Sequence, residues 1–480
     1  MNSKMVFFTI GRMAKVEAAL LILPLVVSLI YGEHSMFAFL ITAVVSFLVG
    51  EILTLIFKPK DNVIYAKEGF AIVALVWLFV SAVGALPFVI SGDIPNYVDA
   101  FFETVSGFTT TGASILTDVE AMNHGCLFWR SFTHWVGGMG VLVFVMAIIP
   151  NVSDRSIHLL RAEMPGPIVG KIVPRAKETA KILYLIYIVM TIIEVILLLC
   201  GGMSLFDSLV HSFGTAGTGG FGIKHDSIAG YSPYLQWVIA IFMLLFGINF
   251  NLYYLALIKR FRSVLHSTEL WCYVGIVAVS VAAITANIYP IYNNFADALR
   301  QSSFQVSSII TTTGYATANF DLWPGFSKSI LLLLMFIGGC AGSTAGGLKI
   351  SRVIILCKMI SREFKHMIHP HSVSAVIVEG KKVDAPTQNS IGIYLAIYMV
   401  CFSAILLILS IEPFGLETNF TAAASCFNNV GPGFGMVGPA SSYAGYSALS
   451  KIVLSMAMLL GRLEIFPLLL ALSPSMWRKK

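Results

Sequence analysis

Charged residues are scarce in this sequence of 480 residues: Asp, Glu, Lys and Arg account for 12% of the chain and hydrophobic residues for 57%. Soluble domains carry roughly 25% charged residues. A single water-soluble core cannot bury so much apolar surface, so much of it must face lipid. The composition therefore predicts an integral membrane protein and speaks against a soluble enzyme or a nucleic-acid-binding domain.

Several familiar motifs are also missing. The seven cysteines are scattered, odd in number and free of any C-x-x-C pair, so neither a disulfide framework nor a zinc site is expected. The chain has no Walker phosphate loop, dinucleotide fingerprint or catalytic triad. The first apolar run, residues 18–31, is not followed by a small-residue cleavage site, and we expect a retained helix there.

Long apolar runs recur along the chain. Residues 71–90, 182–199 and 394–411 lie in segments of spanning length, which is about 20 residues. Such segments should be helical, because a helix satisfies its backbone hydrogen bonds internally. With the N-terminus inside, most of the 31 Lys and Arg residues fall at inner ends, as the positive-inside rule requires. We therefore predict a multi-pass protein of a bacterial cytoplasmic membrane with both termini cytoplasmic.

The opposite side is acidic by comparison. Its carboxylates would concentrate cations at an entrance if they formed a vestibule. Solvated loop carboxylates are the alternative, and the sequence leaves both interpretations open. The residues concerned are Asp93, Asp99, Glu103, Asp118, Glu120, Asp207, Asp226, Asp297, Asp321, Glu412 and Glu417.

Four related segments repeat along the chain. Residues 102–112 match residues 304–314 at the first Phe and throughout the Thr-Thr-Thr-Gly end, and residues 209–219 and 421–431 are looser copies. Each segment lies between two spanning candidates, which gives a unit of helix, short segment, glycine turn and helix. The short segments cannot cross a roughly 30 Å hydrocarbon core. Each should therefore enter the membrane and return, which is tolerated where the backbone lines a cavity.

The predicted fold is an all-α polytopic membrane protein with four pseudo-symmetric helix/pore-loop/helix units around one central pore, plus two N-terminal helices. The predicted boundaries are 1–60 for the N-terminal addition, then 61–165, 166–265, 266–385 and 386–480 for units 1 to 4. The predicted helices are 14–31, 36–57, 68–91, 127–149, 180–201, 233–258, 270–290, 327–357, 390–411 and 447–471.

The glycine turns point to cation binding. A dehydrating K+ ion needs a cage of oxygens, which backbone carbonyls with nearby Thr hydroxyls supply. Glycine permits the positive φ angles that aim successive carbonyls at one axis, and short helices would direct their negative C-terminal ends to the same place. The candidate filter residues, with K+ as the only metal ion expected, are Thr110, Thr111, Gly112, Thr218, Gly219, Thr312, Thr313, Gly314, Asn429, Val430 and Gly431.

A second group of residues points to a gate. Residues 337–348 place five glycines where a continuous helix is otherwise expected, and each costs roughly 1 kcal/mol relative to Ala, so the helix should break there. Close packing of small residues is the alternative. Arg462 lies among apolar residues in the last spanning segment, and intramembrane charges are by default functional, although a structural ion pair would also explain it. The candidate gate residues are Gly338, Gly339, Gly342, Ser343, Thr344, Gly346, Gly347 and Arg462.

Two other polar residues stand in apolar surroundings. We expect His134 to pack a helix end and not to bind a metal. Glu194 lies between Ile193 and Val195, where either a proton-coupling group or an ordinary helix contact would fit.

Over nearly its whole length the chain resembles the Trk/Ktr/HKT superfamily of K+ transporters, specifically the TrkH branch. The resemblance rests on residues 109–113, 218–221, 311–315, 338–349 and 428–433, with Gly461 to Glu464. It implies K+ uptake through a degenerate filter, an intramembrane gate loop beneath that filter, and an arginine at the pore matching Arg462. It also implies a homodimer and a soluble TrkA-like regulatory subunit that binds NAD or ATP. No organic cofactor and no nucleic acid are expected.

The sequence leaves competing functions. A cation-coupled secondary transporter, linked to Na+ or H+, is the main alternative, since glycine breaks also build carrier sites. Four like segments favour a pore, whereas carriers usually show two repeats. Basic inner segments, residues 150–181 and 361–389, suit an acidic partner protein or anionic membrane lipid.

Overall fold

The computed structural model describes residues 2–59, 66–140, 176–371 and 374–477, which are almost entirely helical. The N-terminal addition and unit 1 contain the helices Ser3–Leu20, Ile22–Tyr31, Ser35–Ile56, Ala66–Gly84, Leu86–Ser91, Tyr97–Phe108 and His124–Gly138. Unit 2 contains Ala176–Cys200, Leu205–Gly217, Pro233–Phe246, Phe250–Leu257 and Phe261–Leu265.

Unit 3 contains the helices Thr268–Tyr292, Phe295–Ile310, Gly325–Ile337 and Ile350–Ile368. The strands Ile377–Val378 and Lys381–Lys382 then form a small antiparallel hairpin. Unit 4 contains Ala385–Leu409, Leu416–Asn428, Ala448–Arg462, Phe466–Leu472 and Pro474–Trp477. Short 3-10 turns occur at Phe320–Leu322, Gly435–Val437 and Tyr443–Gly445.

Several helices are long enough to cross a membrane. Six in the described part of the chain have the necessary length and apolar character, and the count is seven if one bent pair is a single span. Large exposed apolar side chains cover these helices, including Leu185, Val400 and Leu407. An all-α polytopic membrane protein is confirmed.

Several predicted helix boundaries were wrong in detail, including 68–91, which is divided at Ala85. The first helix begins at Ser3 and is divided at Leu21. The predicted helix 233–258 bends by 89° between Pro233–Phe246 and Phe250–Leu257, and the predicted helix 447–471 is divided after Arg462. Breaks of this kind depend on what the neighbouring backbone contacts, which hydropathy does not reveal. The predicted helix 127–149 begins at His124, and its last part lies outside the described residues.

Four short helices lie at the centre of the bundle, and we number them in chain order. They are Tyr97–Phe108, Leu205–Gly217, Phe295–Ile310 and Leu416–Asn428. Asn96, Ser204 and Asn294 cap the first three with side-chain oxygens, which accept from otherwise unpaired N–H groups. Each helix is buried over its last two turns. The predicted boundaries of the four units remain predictions.

The N-terminal addition packs through a glycine contact. Helix Ser3–Leu20 meets helix Ser35–Ile56 where Gly11 faces Gly50, and a Cβ on Gly50 would lie 2.7 Å from the carbonyl oxygen of Gly11. The Ser46 hydroxyl donates to the carbonyl of Ala14 across the same interface at 2.8 Å. Small residues let two helix backbones approach this closely.

We expect Gly50→Ala to destabilise the protein by about 1–3 kcal/mol, because an added methyl group forces this interface apart. Gly275→Ala is the matched control: Gly275 also lies within a long helix, but a Cβ there meets no atom within 4 Å. The control should gain helix propensity without a clash. Thermal unfolding in detergent measures both, and equal melting temperatures for the two variants would contradict the proposed packing.

Candidate ion pathway

The four short helices end in one shared hydrogen-bond pattern. In short helix 1 the N–H of Thr111 donates to the carbonyl of Ser106 at 2.9 Å, and the N–H of Thr110 donates to that of Gly107 at 3.1 Å. Thr110 itself is left-handed, with a φ of 55°. These features define a Schellman motif, which normally uses glycine at the left-handed position. The other helices close in the same way, with the left-handed residues Thr218, Thr312 and Asn429.

A glycine with positive φ follows each left-handed residue after one intervening position. These glycines are Gly112, Gly220, Gly314 and Gly431, with φ values of 79°, 75°, 88° and 104°. We call the segments that end there, 109–112, 217–220, 311–314 and 428–431, turns 1 to 4. Two successive sharp changes of backbone direction thus follow each short helix.

The predicted register of turn 2 was wrong by one residue. The sequence pairs Gly219 with Gly112, but the structure places Gly220 in the matching conformation and gives Gly219 the place of Thr111. The error arises because turn 2 contains two adjacent glycines, and the pattern alone does not distinguish them. Gly219 is required for another reason: a Cβ there would overlap the imidazole of His134.

The four turns form a closed ring. A Cβ built on each positive-φ glycine would overlap or crowd the carbonyl oxygen of the next turn, and the last turn meets the first. The pairs are Gly112 with Gly219, Gly220 with Thr313, Gly314 with Val430, and Gly431 with Thr111. The carbonyl at the equivalent position of each turn therefore lies against the glycine of a neighbouring turn, in the cyclic order 1, 2, 3, 4.

The ring has the chemistry of a cation site. Carbonyl oxygens can replace the hydration shell of a monovalent cation, and the negative C-terminal ends of the four short helices point toward them. The threonines of turns 1, 2 and 3 are at most 1% exposed. The buried hydroxyl of Thr110 makes no hydrogen bond within the described structure.

Side-chain hydrogen bonds hold turns 1 and 3 alike. The hydroxyls of Thr109 and Thr111 lie 2.8 Å apart, as do those of Thr311 and Thr313. Turn 4 departs from this pattern, because the Asn429 amide donates to the Thr111 hydroxyl of the neighbouring turn 1 at 2.9 Å. The sequence difference at turn 4 thus produces a side-chain link between the fourth and first turns.

A cavity of about 280 Å³ opens on one side of the ring, and the positive-φ glycine of every turn lines it. Its charged and titratable lining residues are Arg130, Lys224, His225 and Tyr443. The acidic carboxylates do not belong to this described lining, but three of them bind residues that do. Glu103 pairs with Arg130, and Asp118 and Glu120 bind His225. Other carboxylates pair elsewhere: Asp99 with Lys451, Asp297 with Arg300, and Asp321 and Glu417 both with Lys328. The vestibule interpretation stays a prediction.

A glycine-rich segment, residues 338–349, lies against the ring on its other side. We call it the inner loop. It interrupts the helical path between Ile337 and Ile350 as the glycines predict, with positive φ at Gly338, Gly342 and Gly347. The N–H of Gly346 donates to the Thr312 hydroxyl at 2.6 Å, and that of Gly347 donates to the Asn428 carbonyl at 3.1 Å.

The inner loop is also anchored away from the ring. The N–H of Cys340 donates to the carbonyl of Gly247, and the N–H of Phe250 donates to that of Gly342, each at 3.0 Å. These bonds explain the 89° bend in unit 2, because they use the backbone groups that the bend exposes. The Glu269 carboxylate accepts from the N–H of Ala341 at 2.7 Å.

Arg462 lies at the inner loop. It is the last residue of helix Ala448–Arg462, and its guanidinium donates to the carbonyl of Thr344 at 2.9 Å and to the carbonyls of Gly137 and Gly138. Glu464 pairs instead with Arg352. Arg462 therefore joins the inner loop, unit 1 and unit 4, and the structure brings together all the residues predicted as a gate.

His134 packs as expected. Its Nδ1 lies 2.7 Å from the Gly107 carbonyl, and Nε2 accepts from the N–H of Phe221 at 3.3 Å. Among the described residues, no cluster of three or more His, Cys, Asp and Glu could hold a metal ion. Glu194 is fully buried, and its role stays open.

Sequence reasoning missed the roles of three residues near the ring. Gly220 lay next to a predicted residue and could have been found by aligning helix ends instead of glycines. The buried pair of Arg130 and Glu103 gave no signal, because Glu103 was grouped with the loop carboxylates and Arg130 stood outside every motif.

Known proteins share this architecture. The family model described as TrkH, cation transport protein, matches residues 35–479. The Trk system potassium uptake protein TrkH of Salmonella typhimurium is 37% identical, and that of Escherichia coli K12 is 36% identical, each over 98% of both chains. The crystal structure of the potassium transporter TrkH from Vibrio parahaemolyticus superposes over 100% of both chains with a TM-score of 0.89 and 31% identity. The chain belongs to the TrkH family of cation transport proteins and is therefore a multi-pass membrane transporter and not an enzyme.

Proposed function

We propose that this protein takes up K+ across a bacterial cytoplasmic membrane, with both termini in the cytoplasm. The observation that carries the proposal is the closed, buried ring of four turns, in which each positive-φ glycine lies against a backbone carbonyl of a neighbouring turn. The relatives named as Trk potassium uptake proteins support K+ as the transported ion. The proposed filter consists of turns 1 to 4, including Gly219 and Gly220 of turn 2.

The alternative function, a carrier coupled to Na+ or H+, differs in how the ring would be reached by ions. A carrier alternates access to a site, whereas a pore conducts whenever its gate is open. Fluxes of K+, Rb+, Na+ and Li+ into proteoliposomes, measured with and without a Na+ or proton gradient, separate the two. K+ flux that requires one of those gradients would contradict the pore.

The inner loop and Arg462 form the proposed gate. The loop is bonded to turn 3 and turn 4 through Gly346 and Gly347, so it occupies the inner approach to the ring. A fixed guanidinium at the same level opposes the passage of a cation through a low-dielectric region. Opening then requires the loop to leave its hydrogen bonds to Thr312 and Asn428.

The proposed assembly is a homodimer with a soluble TrkA-like subunit that binds NAD or ATP. The described inner segment around helix Ile350–Ile368 exposes Lys365, His366, Lys381 and Lys382. A surface of this charge suits an acidic protein partner. Anionic lipid headgroups are the alternative occupant. Most of the other basic segment, 150–181, lies outside the described residues.

Gly112→Ser should reduce the K+/Na+ flux ratio by roughly tenfold, because a side chain at a positive-φ position strains the backbone and would meet the Gly219 carbonyl. Gly92→Ser is the matched control, since Gly92 also has a positive φ but a Cβ there meets no atom within 4 Å. Ion fluxes into proteoliposomes provide the ratio. A folded Gly112→Ser protein with wild-type selectivity would remove Gly112 from the filter.

Arg462→Ala, and separately a deletion of Gly346 and Gly347, should raise K+ flux of the isolated protein by roughly tenfold, because each lowers the barrier beneath the ring. Arg362→Ala is the control for loss of an inner positive charge, since Arg362 binds Glu363 and Gln388 away from the loop. Rb+ uptake at fixed protein density is the measurement. If both gate variants fold and conduct no faster than wild type, the gate assignment is wrong.

We expect the gently purified protein to have the native mass of a homodimer. K+ flux should respond to the cognate soluble protein together with NAD or ATP. Liposomes with and without anionic lipid separate partner binding from lipid binding, because only the latter changes with lipid charge. A monomer whose flux ignores the soluble protein would contradict the assembly while leaving the pathway intact.

A further inference from the structure

A buried ion pair lies beside the ring in unit 1. The Nε of Arg130 is 2.5 Å from Oε1 of Glu103, and the side chains are 3% and 0% exposed. Glu103 belongs to short helix 1, and Arg130 to the helix His124–Gly138 that follows turn 1. Burying such a pair costs solvation that its attraction need not recover, so global stability alone does not explain its presence.

Glu103 binds the backbone that leaves turn 1. Its carboxylate accepts from the Ser114 hydroxyl at 2.9 Å and from the N–H of Ile115 at 3.0 Å. The positive-φ residue Gly112 stands two positions before Ser114. The carboxylate therefore fixes where turn 1 exits relative to its own short helix.

Arg130 binds the backbone that leaves turn 2. Its Nη1 donates to the carbonyl of Gly222 at 2.8 Å, and its guanidinium lies 3.7 Å from the ring centroid of Phe221. Gly222 stands two positions after Gly220, as Ser114 does after Gly112. One ion pair thus connects equivalent positions of two neighbouring turns.

The other units have no carboxylate at the position of Glu103. That position lies seven residues before each left-handed residue, and it is occupied by His211, Gln305 and Ala422 in units 2, 3 and 4. His211 meets Tyr315 at 3.4 Å, and Gln305 donates to Thr317 at 3.5 Å. The contact made by Glu103 is therefore the charged and shortest of these contacts.

We infer that the pair of Glu103 and Arg130 is a positioning device for ion selectivity: it sets the distance between the carbonyls of turns 1 and 2. The inference rests on the proposed K+ function of the ring. A cage that distinguishes K+ from smaller Na+ must resist contraction, and bonds to the exits of both turns supply that resistance. Planar Arg donors suit this task better than a flexible Lys ammonium.

A graded series of variants tests the inference. Both Glu103→Gln and Arg130→Lys keep a similar volume. Glu103→Gln removes the charge of the carboxylate, and Arg130→Lys removes the planar donors that bind Glu103 and the Gly222 carbonyl at the same time. Ser114→Ala keeps the ion pair and removes one bond from Glu103 to the exit of turn 1. Each variant is reconstituted as the full chain, and initial K+ and Na+ fluxes are measured separately beside the thermal unfolding temperature.

We expect the K+/Na+ flux ratio to fall by roughly tenfold for Glu103→Gln and Arg130→Lys, and by roughly threefold for Ser114→Ala. The difference arises because hydrogen bonds between charged groups contribute more than the single bond from the Ser114 hydroxyl. A change of local charge alone would scale both fluxes by a similar factor, because the two ions carry equal charge. Only a change in the geometry of the ring alters their ratio.

Glu51→Gln is the control for loss of an ion pair, because Glu51 pairs with Lys15 in the N-terminal addition; its flux ratio should remain that of wild type. Lower unfolding temperatures with an unchanged ratio in the folded variants would overturn the inference and leave the pair a purely structural role. If Glu103→Gln and Arg130→Lys fail to fold, Ser114→Ala alone decides. Wild-type protein without K+ selectivity would instead defeat the proposed function itself.

Discussion

The close approach of four backbone segments without side chains is the constraint on which the rest of the structure depends. At Gly112, Gly220, Gly314 and Gly431 a single Cβ would occupy the space of a neighbouring carbonyl oxygen. Buried carbonyl groups are costly unless something compensates them. The surrounding protein must therefore hold the backbone in an arrangement that the segments would not adopt alone.

Several levels of the fold stabilise this arrangement of the ring backbone. The Schellman motifs turn the chain sharply at four helix ends, although Thr and Asn replace the usual glycine and carry the strain of a left-handed conformation. Different links then join neighbouring turns: Arg130 and Glu103 between the first and second, Asn429 between the fourth and first. Since these links are chemically unlike, the ring is four-fold in backbone geometry and asymmetric in its support.

Much of this arrangement was predictable, for identifiable reasons. Hydropathy and repetition depend on local sequence, and they predicted the helical membrane fold, the repeated turns and the break at residues 338–349. The bends near Gly247 and after Arg462, and the role of Gly220, depend on contacts between units far apart in the chain. The inner loop bends unit 2 through Gly247 and Phe250, and nothing in the local sequence of unit 2 indicates that partner.

The same dependence on distant contacts connects the inner loop to the rest of the molecule. Arg462 binds carbonyls of the inner loop and of unit 1. Two residues later, Glu464 pairs with Arg352 of the helix that follows the loop. Within the loop, the N–H of Ala341 donates to Glu269. A displacement of helix Ile350–Ile368 must therefore act on the last residues of the inner loop and, through Arg352, on Glu464. Since that helix also carries the exposed Lys365 and His366, a force applied at the basic surface has a continuous bonded route to the loop beneath the ring.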